Sequence, residues 1–204
     1  MTEGIALIRK YFPSLTPRQE EQLQLLADGL RYWNRQINVI SRKDIDHLWE
    51  HHLLHSLAPA RVHPFPEGTA VADIGTGGGL PGLPLAILLP ACRFTLVDST
   101  GKKIRVVDEL VHLTGLTNVT TCWSRAETMQ GSFDIITGRG VTRLDRFYTL
   151  TRHLLAPHGE ILYLSGTDQA AAITLPGKEL TVTPLTNIFK EPYFEGKAIL
   201  RLKN

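Results

Sequence analysis

One stretch constrains this chain more than any other: Val71-Ala72-Asp73-Ile74-Gly75-Thr76-Gly77-Gly78-Gly79-Leu80-Pro81-Gly82. It reads as a buried strand, a glycine loop and the start of a helix, with an acid two residues before the first glycine. Glycine has no Cβ, so the loop can take positive φ and bring its backbone close to a ligand. The helix that follows presents unpaired N–H groups to the same ligand. The order Asp73-x-Gly75-x-Gly77-x-Gly79 points to S-adenosylmethionine rather than to ATP or a dinucleotide. A P-loop needs Gly-Lys-Ser/Thr after the loop, and here Leu80-Pro81-Gly82 follows. Gly77-x-Gly79-x-x-Gly82 matches the dinucleotide fingerprint, but two loop residues too late. Counted from the first glycine, Leu80 breaks that pattern. Asp73, Gly75, Thr76, Gly77, Gly79 and Leu80 are therefore candidate cofactor residues. Asp73 can hold the loop by hydrogen bonds or meet the ammonium group of a methionine moiety.

A second acid supports this reading. Arg93-Phe94-Thr95-Leu96-Val97 is a short strand run ending at Asp98. An acid about 20 residues beyond the glycine loop, at the tip of the second strand, is placed to bind ribose hydroxyls. The alternative is an N-cap of the next helix, a position that both Asp98 and Ser99 suit.

The rest of the chain fits one alternating frame. From residue 70, strands are expected at Thr69–Ile74, Arg93–Val97, Val119–Trp123, Phe133–Ile136 and Glu160–Leu164. Helices are expected at Pro84–Leu88, Lys102–Thr114 and Leu144–Leu155. This alternation implies an α/β fold with a parallel, doubly wound sheet. Leu180–Leu185 and Ala198–Leu202 read as strands with little helix between them, hence an antiparallel C-terminal edge. Residues 1–66 differ and read as a helical extension on a core domain spanning 67–204. Thr16-Pro17-Arg18-Gln19 forms a capping box with proline at the first helical position. Leu23, Leu26, Ala27, Leu30, Trp33 and Ile37 then follow at helical spacing, and a second helix is expected from Asp44 to Leu57.

Composition bounds the function. The 204 residues include 43% hydrophobic side chains, enough for a sizeable core. A net charge of +2 does not by itself indicate a nucleic-acid partner. Cys92 and Cys122 lack metal-type spacing and read as reduced cytosolic thiols. No apolar run approaches the roughly 20 residues of a membrane span. The expectation is a soluble, cytoplasmic monomer without a metal.

These residues carry a family resemblance. The chain resembles the bacterial small-subunit ribosomal RNA methyltransferase G family, also called glucose-inhibited division protein B, nearly end to end. The anchors are Asn38-Val39-Ile40-Ser41, His51-His52-Leu53-Leu54-His55-Ser56, the glycine loop running into Leu80-Pro81-Gly82, and Val97-Asp98-Ser99 with Lys102-Lys103. The resemblance implies a Rossmann-like class I S-adenosylmethionine-dependent methyltransferase fold. It implies transfer of a methyl group to N7 of a guanine in the decoding region of 16S rRNA, with that rRNA or the small subunit as partner. It also implies that Gly75 and Leu80 line the methionine and ribose side, that Asp98 is the ribose acid, and that Ala126-Glu127 contact the adenine. Arg139 would border the cofactor and the target base. Three positions depart from the family pattern. Arg139 lies between Gly138 and Gly140 where Ser-Arg-Ala is more usual, Ser165 replaces a common lysine, and His55 stands where many members have an acid.

The chemistry so implied is undemanding. Guanine N7 carries an exposed lone pair and needs no deprotonation, so in-line positioning and charge stabilisation suffice. No general base is assigned, and Arg139 is the candidate positioning residue. Arg139, Arg143, Arg146 and Arg152 fall within 14 residues, opposed only by Asp145. The first three have helical-type spacing and could track phosphates, unless they form an ordinary solvated face. Lys102 and Lys103 open a helix, where cations oppose the dipole, and so are candidate RNA contacts. His47, His51, His52 and His55 share part of one helix. No acid or cysteine is expected to complete a metal set with them, and His52 is expected to pack beneath the cofactor loop. Two other classes compete. A small-molecule methyltransferase would need a lid and no arginine cluster. A non-catalytic RNA-binding protein with a relict pocket would not need the intact Asp73, loop and Asp98.

Overall fold

The computed structural model describes residues 2–171, 173 and 175–203. Its centre is a seven-stranded sheet in the order β3-β2-β1-β4-β5-β7-β6. The strands are β1 (Ala70–Ile74), β2 (Arg93–Asp98), β3 (Val119–Trp123), β4 (Phe133–Arg139), β5 (Leu155–Gly166), β6 (Glu179–Pro184) and β7 (Lys197–Lys203). The first five run parallel, and β7 is antiparallel to both β5 and β6. The doubly wound sheet and its antiparallel C-terminal edge are thus as expected.

Burial explains the central strands. In β1 and β2, Val71, Ala72, Phe94, Leu96 and Val97 are all at most 1% exposed. Both faces of these strands are covered, as parallel sheets require. On one face lie α1 (Glu3–Tyr11), α2 (Pro17–Asn34), the later N-terminal helices, α5 (Gly82–Leu88) and α6 (Gly101–Thr114). On the other lies α7 (Leu144–Thr151), whose Leu144 and Phe147 are fully buried. The core of the first face runs without a break from Ile5 through Leu23, Leu30, Leu83 and Phe94 to Leu164 and Ile199. The N-terminal extension is therefore a layer of the same core. No described helix is long and apolar enough to cross a membrane.

Thr16 caps α2 with both halves of the capping box present. The Gln19 amide in that box also donates to the carbonyls of Ile87 and Leu88, tying α2 to the C-terminal end of α5.

Most boundaries shift by one or two residues, and four elements differ more. The single helix expected over Asp44–Leu57 is a 3-10 turn (Ile45–His47), a π-helical stretch (Leu48–Leu54) and α3 (His55–Leu57), followed by α4 (Pro59–Val62). The wider stretch buries Leu48, Leu53 and Leu54 together while His51 and His52 both turn to Asp44. The helix expected to reach Leu155 ends at Thr151, and a 3-10 turn (Arg152–Leu154) leads directly into β5. β5 begins five residues before the expected Glu160, because Leu155 already pairs with Phe133 across a register shift. β4 runs on past Ile136 to Arg139, held by pairs to β5.

Candidate active site

Parallel sheets bind ligands beyond the carboxyl ends of the strands, where strand order reverses. Here the reversal lies between β1 and β4, and the glycine loop leaves β1 at that point. Asp73 is fully buried there. Its Oδ2 accepts from the Thr76 hydroxyl at 2.6 Å and from the Gly82 N–H at 2.9 Å. Asp73 thus ties both ends of the loop together, the first of the two roles open to it. Its Oδ1 is buried without a partner. Burial, opposed by those two hydrogen bonds, pushes the Asp73 carboxyl up to about 6.

Two glycines are required by space. Gly75 has φ +73°, and a Cβ there would lie 2.7 Å from the Val141 side chain. A Cβ on Gly82 would lie 2.8 Å from Asp73 Oδ2 and 2.8 Å from Leu96. Neither position admits a side chain without moving the loop.

Asp98 is 5% exposed at the tip of β2. Its Oδ2 accepts from the Gly77 N–H at 3.0 Å and its Oδ1 from the Thr100 N–H at 2.8 Å. Thr100 is the N-cap of α6 and makes no side-chain cap bond, so neither Asp98 nor Ser99 holds the cap position. A carboxylate can accept about four hydrogen bonds, so Asp98 keeps acceptor capacity after these two. It faces a cavity of about 170 Å³ lined also by Gly75, Ser124, Ala126, Glu127 and Val141. Gly75, Asp98, Ala126 and Glu127 therefore meet on one cavity. Thr76 and Leu80 are buried beneath the loop, and with Asp73, Gly77 and Gly79 they shape it rather than line the cavity. Ser99 lines it too, and sequence reasoning missed Ser124, Arg125 and Val141, which line it through their place in the fold.

Arg139 is the last residue of β4. Its guanidinium turns toward the N-terminal layer, donating to the His51 carbonyl at 3.2 Å and meeting His52 Nδ1 at 3.0 Å. Burial lowers its pKa. Burial, reinforced by the Arg139 charge, also pulls His52 down to about 4, so His52 is neutral at pH 7. Nδ1 then accepts from Arg139 and Nε2 donates to Asp44 Oδ2 at 2.6 Å. His51 holds the other Asp44 oxygen through Nδ1, also at 2.6 Å. Burial works against the Asp44 carboxylate, but the His51 and His52 contacts hold its pKa below the usual range. His52 therefore bridges Arg139 and Asp44, and an acid does join the histidine set. Among the described residues, no group of three or more His, Cys, Asp or Glu side chains could hold a metal ion. His55 is buried with Nε2 unpartnered, and burial holds its pKa well below the usual value.

Arg139 lines a second cavity, of about 360 Å³, with His55, Thr142, Tyr163, Ser165 and Lys197. Gly140–Thr142 separates it from the first cavity, since Val141 lines one and Gly140 and Thr142 line the other. The Tyr163 hydroxyl pins this wall. It accepts from the N–H groups of Val141 and Thr142 and donates to the Thr142 carbonyl at 2.7 Å.

The expected arginine helix face does not form. Arg139 ends β4, and Arg143 is the extended N-cap residue of α7, bonded to Asp145 at 3.0 Å. Only Arg146 lies on the helix proper, exposed. Lys102 and Lys103 stand in the first turn of α6, with Lys103 3.8 Å from Asp98.

Sheet order, glycine loop and paired acids together define the class I methyltransferase fold. Solved structures share it at low identity. One is TrmN from Thermus thermophilus (TM-score 0.60, 20% identical, covering 74% of this chain and 48% of that one). Another is the putative methyltransferase yhhF from Escherichia coli (TM-score 0.56, 14% identical, covering 74% and 84%). Within that class, the model of the rRNA small subunit methyltransferase G family matches residues 19–190. Similar curated proteins are named ribosomal RNA small subunit methyltransferase G. The one from Porphyromonas gingivalis W83 is 43% identical over 98% of this chain and 93% of its own length. The one from Bacteroides thetaiotaomicron is 44% identical over 95% and 97%. The chain belongs to the rRNA small subunit methyltransferase G family.

Proposed function

We propose that this protein transfers a methyl group from S-adenosylmethionine to N7 of a guanine in the decoding region of small-subunit rRNA. The observation that carries the reading is the meeting of Gly75, Asp98, Ala126 and Glu127 on one cavity at the switch point of the sheet. The donor set fits the cofactor. Asp98 has acceptor capacity for the ribose hydroxyls, Gly75 admits close backbone approach, and Ala126-Glu127 stand in the 3-10 turn after β3 for the adenine. When bound, S-adenosylmethionine supplies an activated methyl on a sulfonium.

The protein's own part is positioning. Asp73 fixes the loop, and Asp98 orients the ribose. Arg139, tethered by His51 and His52, presents a fixed cation in the second cavity, which takes the target nucleotide. Tyr163 holds the wall between the two cavities. Guanine N7 needs no proton removed, which agrees with a site whose buried histidine at Arg139 is neutral and committed to Asp44.

Two measurements test this. Calorimetry should show S-adenosylmethionine binding in the micromolar range with no comparable affinity for NAD. Mass analysis of 16S rRNA from cells lacking the protein should show one 7-methylguanosine missing, restored by the wild-type gene. NAD binding instead, or unchanged rRNA, overturns the proposal.

A further inference from the structure

We propose that the cleft at the C-terminal end of α2, lined by Arg31, Arg35 and Arg42, is the groove that docks the RNA backbone. The inference rests on the reading of rRNA as substrate and assigns its main phosphate contacts to the N-terminal layer.

Residues 31–43 contain Arg31, Arg35, Arg42 and Lys43 and no acid. The fold gathers three of these cations around one cleft of about 470 Å³, whose lining among the described residues includes one acid, Asp46. Arg31 has a partner, Asp28, at 3.6 Å. Arg35 and Arg42 are exposed, and among the described residues neither guanidinium has an ion pair. Guanidinium forks match phosphate geometry, so charges of one sign held apart on a cleft wall fit a polyanion. Tyr32, 59% exposed beside them, offers a flat ring for an unpaired base. The α7 end is weaker in the same terms, because Asp145 engages Arg143.

Position completes the argument. Asn34 Oδ1 accepts from the N–H groups of Val39 and Ile40 and fixes the loop that follows α2. That loop lies on the cofactor loop, where a Cβ on Gly78 would be 3.0 Å from Val39 and 3.4 Å from Leu30. The other side of the cleft is Ile45 and Asp46, next to the Asp44 that holds His51 and His52 against Arg139. A backbone laid in the cleft thus has the glycine loop on one side and the Arg139 network on the other. Phosphate contacts set register and supply salt-dependent affinity, while the active site selects the base.

The test is binding of purified 16S rRNA, and of poly(U) as an unrelated polyanion, across a series of KCl concentrations. The full chain is compared with Arg35→Ala/Arg42→Ala, Arg35→Lys/Arg42→Lys and Arg143→Ala/Arg146→Ala. Each lost phosphate contact flattens the log–log slope by about 0.7–0.9. The first variant should lose about 1.5 in slope on both RNAs, bind about tenfold more weakly at ~0.1 M salt, and raise the KM for rRNA in step. Melting temperature and S-adenosylmethionine affinity should hold, and the lysine pair should recover most of the slope. Wild-type slope and affinity in the alanine pair, or losses only in the α7 pair, overturn the inference. A wild-type protein that binds S-adenosylmethionine but neither binds nor methylates rRNA overturns the substrate reading beneath it. If the alanine pair folds poorly, photocrosslinks from wild type to RNA decide: peptides covering 31–43 support the groove, and peptides confined to α7 reject it.

Discussion

The glycine-loop edge and the N-terminal layer meet at Arg139 and are built by opposite means. The loop is a closed local device. Asp73 reaches three residues to Thr76 and nine to Gly82, and Asp98 reaches Gly77 and Thr100. The layer is an assembled device. Asp44, His51 and His52 come from a π-helical stretch, Arg139 from β4, and Tyr193, stacked on His51 at 3.6 Å, from near the C-terminus. The two regions also bury opposite problems. Burial pushes an acid up in the loop and a base down in the layer. A short-range device shows in sequence order, whereas a long-range one shows only as unexplained polar residues.

The largest expected effect exposes that opposition. His52 falls from 6.5 to about 4, so its contribution to stability is complete above pH 6.5 and is lost as pH falls toward 4. Asp73 rises from 3.8 to about 6, so its contribution is complete below pH 4 and is lost as pH rises through 6. Each displacement is worth roughly 3 kcal/mol, and between pH 4 and 6 the two oppose each other. His55, also held low, adds to the histidine side. Asp73→Asn keeps an acceptor for Thr76 and Gly82 but removes the acid's titration. Stability measured by chemical denaturation at pH 4, 5, 6 and 7 should then fall more steeply on acidification than in wild type, by roughly 3 kcal/mol across the window. Parallel curves would mean that Asp73 is not held protonated by burial.

A smaller effect separates the regions by function. Asp98→Ala should weaken S-adenosylmethionine binding by roughly 2 kcal/mol, about thirtyfold, through the loss of a buried acceptor. Arg139→Ala should leave that affinity within about threefold. It should slow single-turnover methyl transfer at saturating cofactor by roughly ten- to a hundredfold, the worth of hydrogen bonds to a charged group. If both variants lose cofactor affinity equally, the wall at Gly140–Thr142 does not divide cofactor from target, and the two regions form one site.

Legibility followed the same division. Val119–Trp123 was readable to the residue, and the other core strands were readable in place, because apolar runs between turn signals are local facts. The loop acids and the Ala126-Glu127 turn lay where motif and resemblance put them. The π-helical stretch was not readable, because helical periodicity assumes 3.6 residues per turn and Leu48–Leu54 departs from it. The Ala156-Pro157-His158-Gly159 run looks like a turn, yet it lies inside β5 as an irregularity between the pairs Phe133–Leu155 and Ile135–Glu160. The arginine spacing at 139, 143 and 146 suggested a helix face, but a strand end and an extended cap residue intervene. The acid-free run at 31–43 was visible all along. A whole-chain charge of +2 hid it, because averaging over 204 residues erases a local excess.

The smallest effect tests whether the layer is an appendage at all. Residues 1–66 read from the sequence as a helical extension packed on a core domain spanning 67–204. In the fold, the apolar cluster that starts at Ile5 continues to Ile199, and α2 packs on both α5 and α6. Gln19 is the sharpest polar link between the two, serving the α2 capping box and the carbonyls of Ile87 and Leu88 at once. Those carbonyls close α5, which the glycine loop leads into. Gln19→Ala should therefore cost about 1 kcal/mol and shift one cooperative unfolding transition as a whole. The shift should be equal whether followed by helix signal or by the fluorescence of Trp33 and Trp49 in the layer and Trp123 on β3. An appendage would behave differently: the layer would melt first, Trp123 would report a later transition, and the mutation would move only the earlier one. A single shifted transition makes the layer part of the methyltransferase core. The same contacts that stabilise it would then hold the Asp44, His51 and His52 network in place against Arg139.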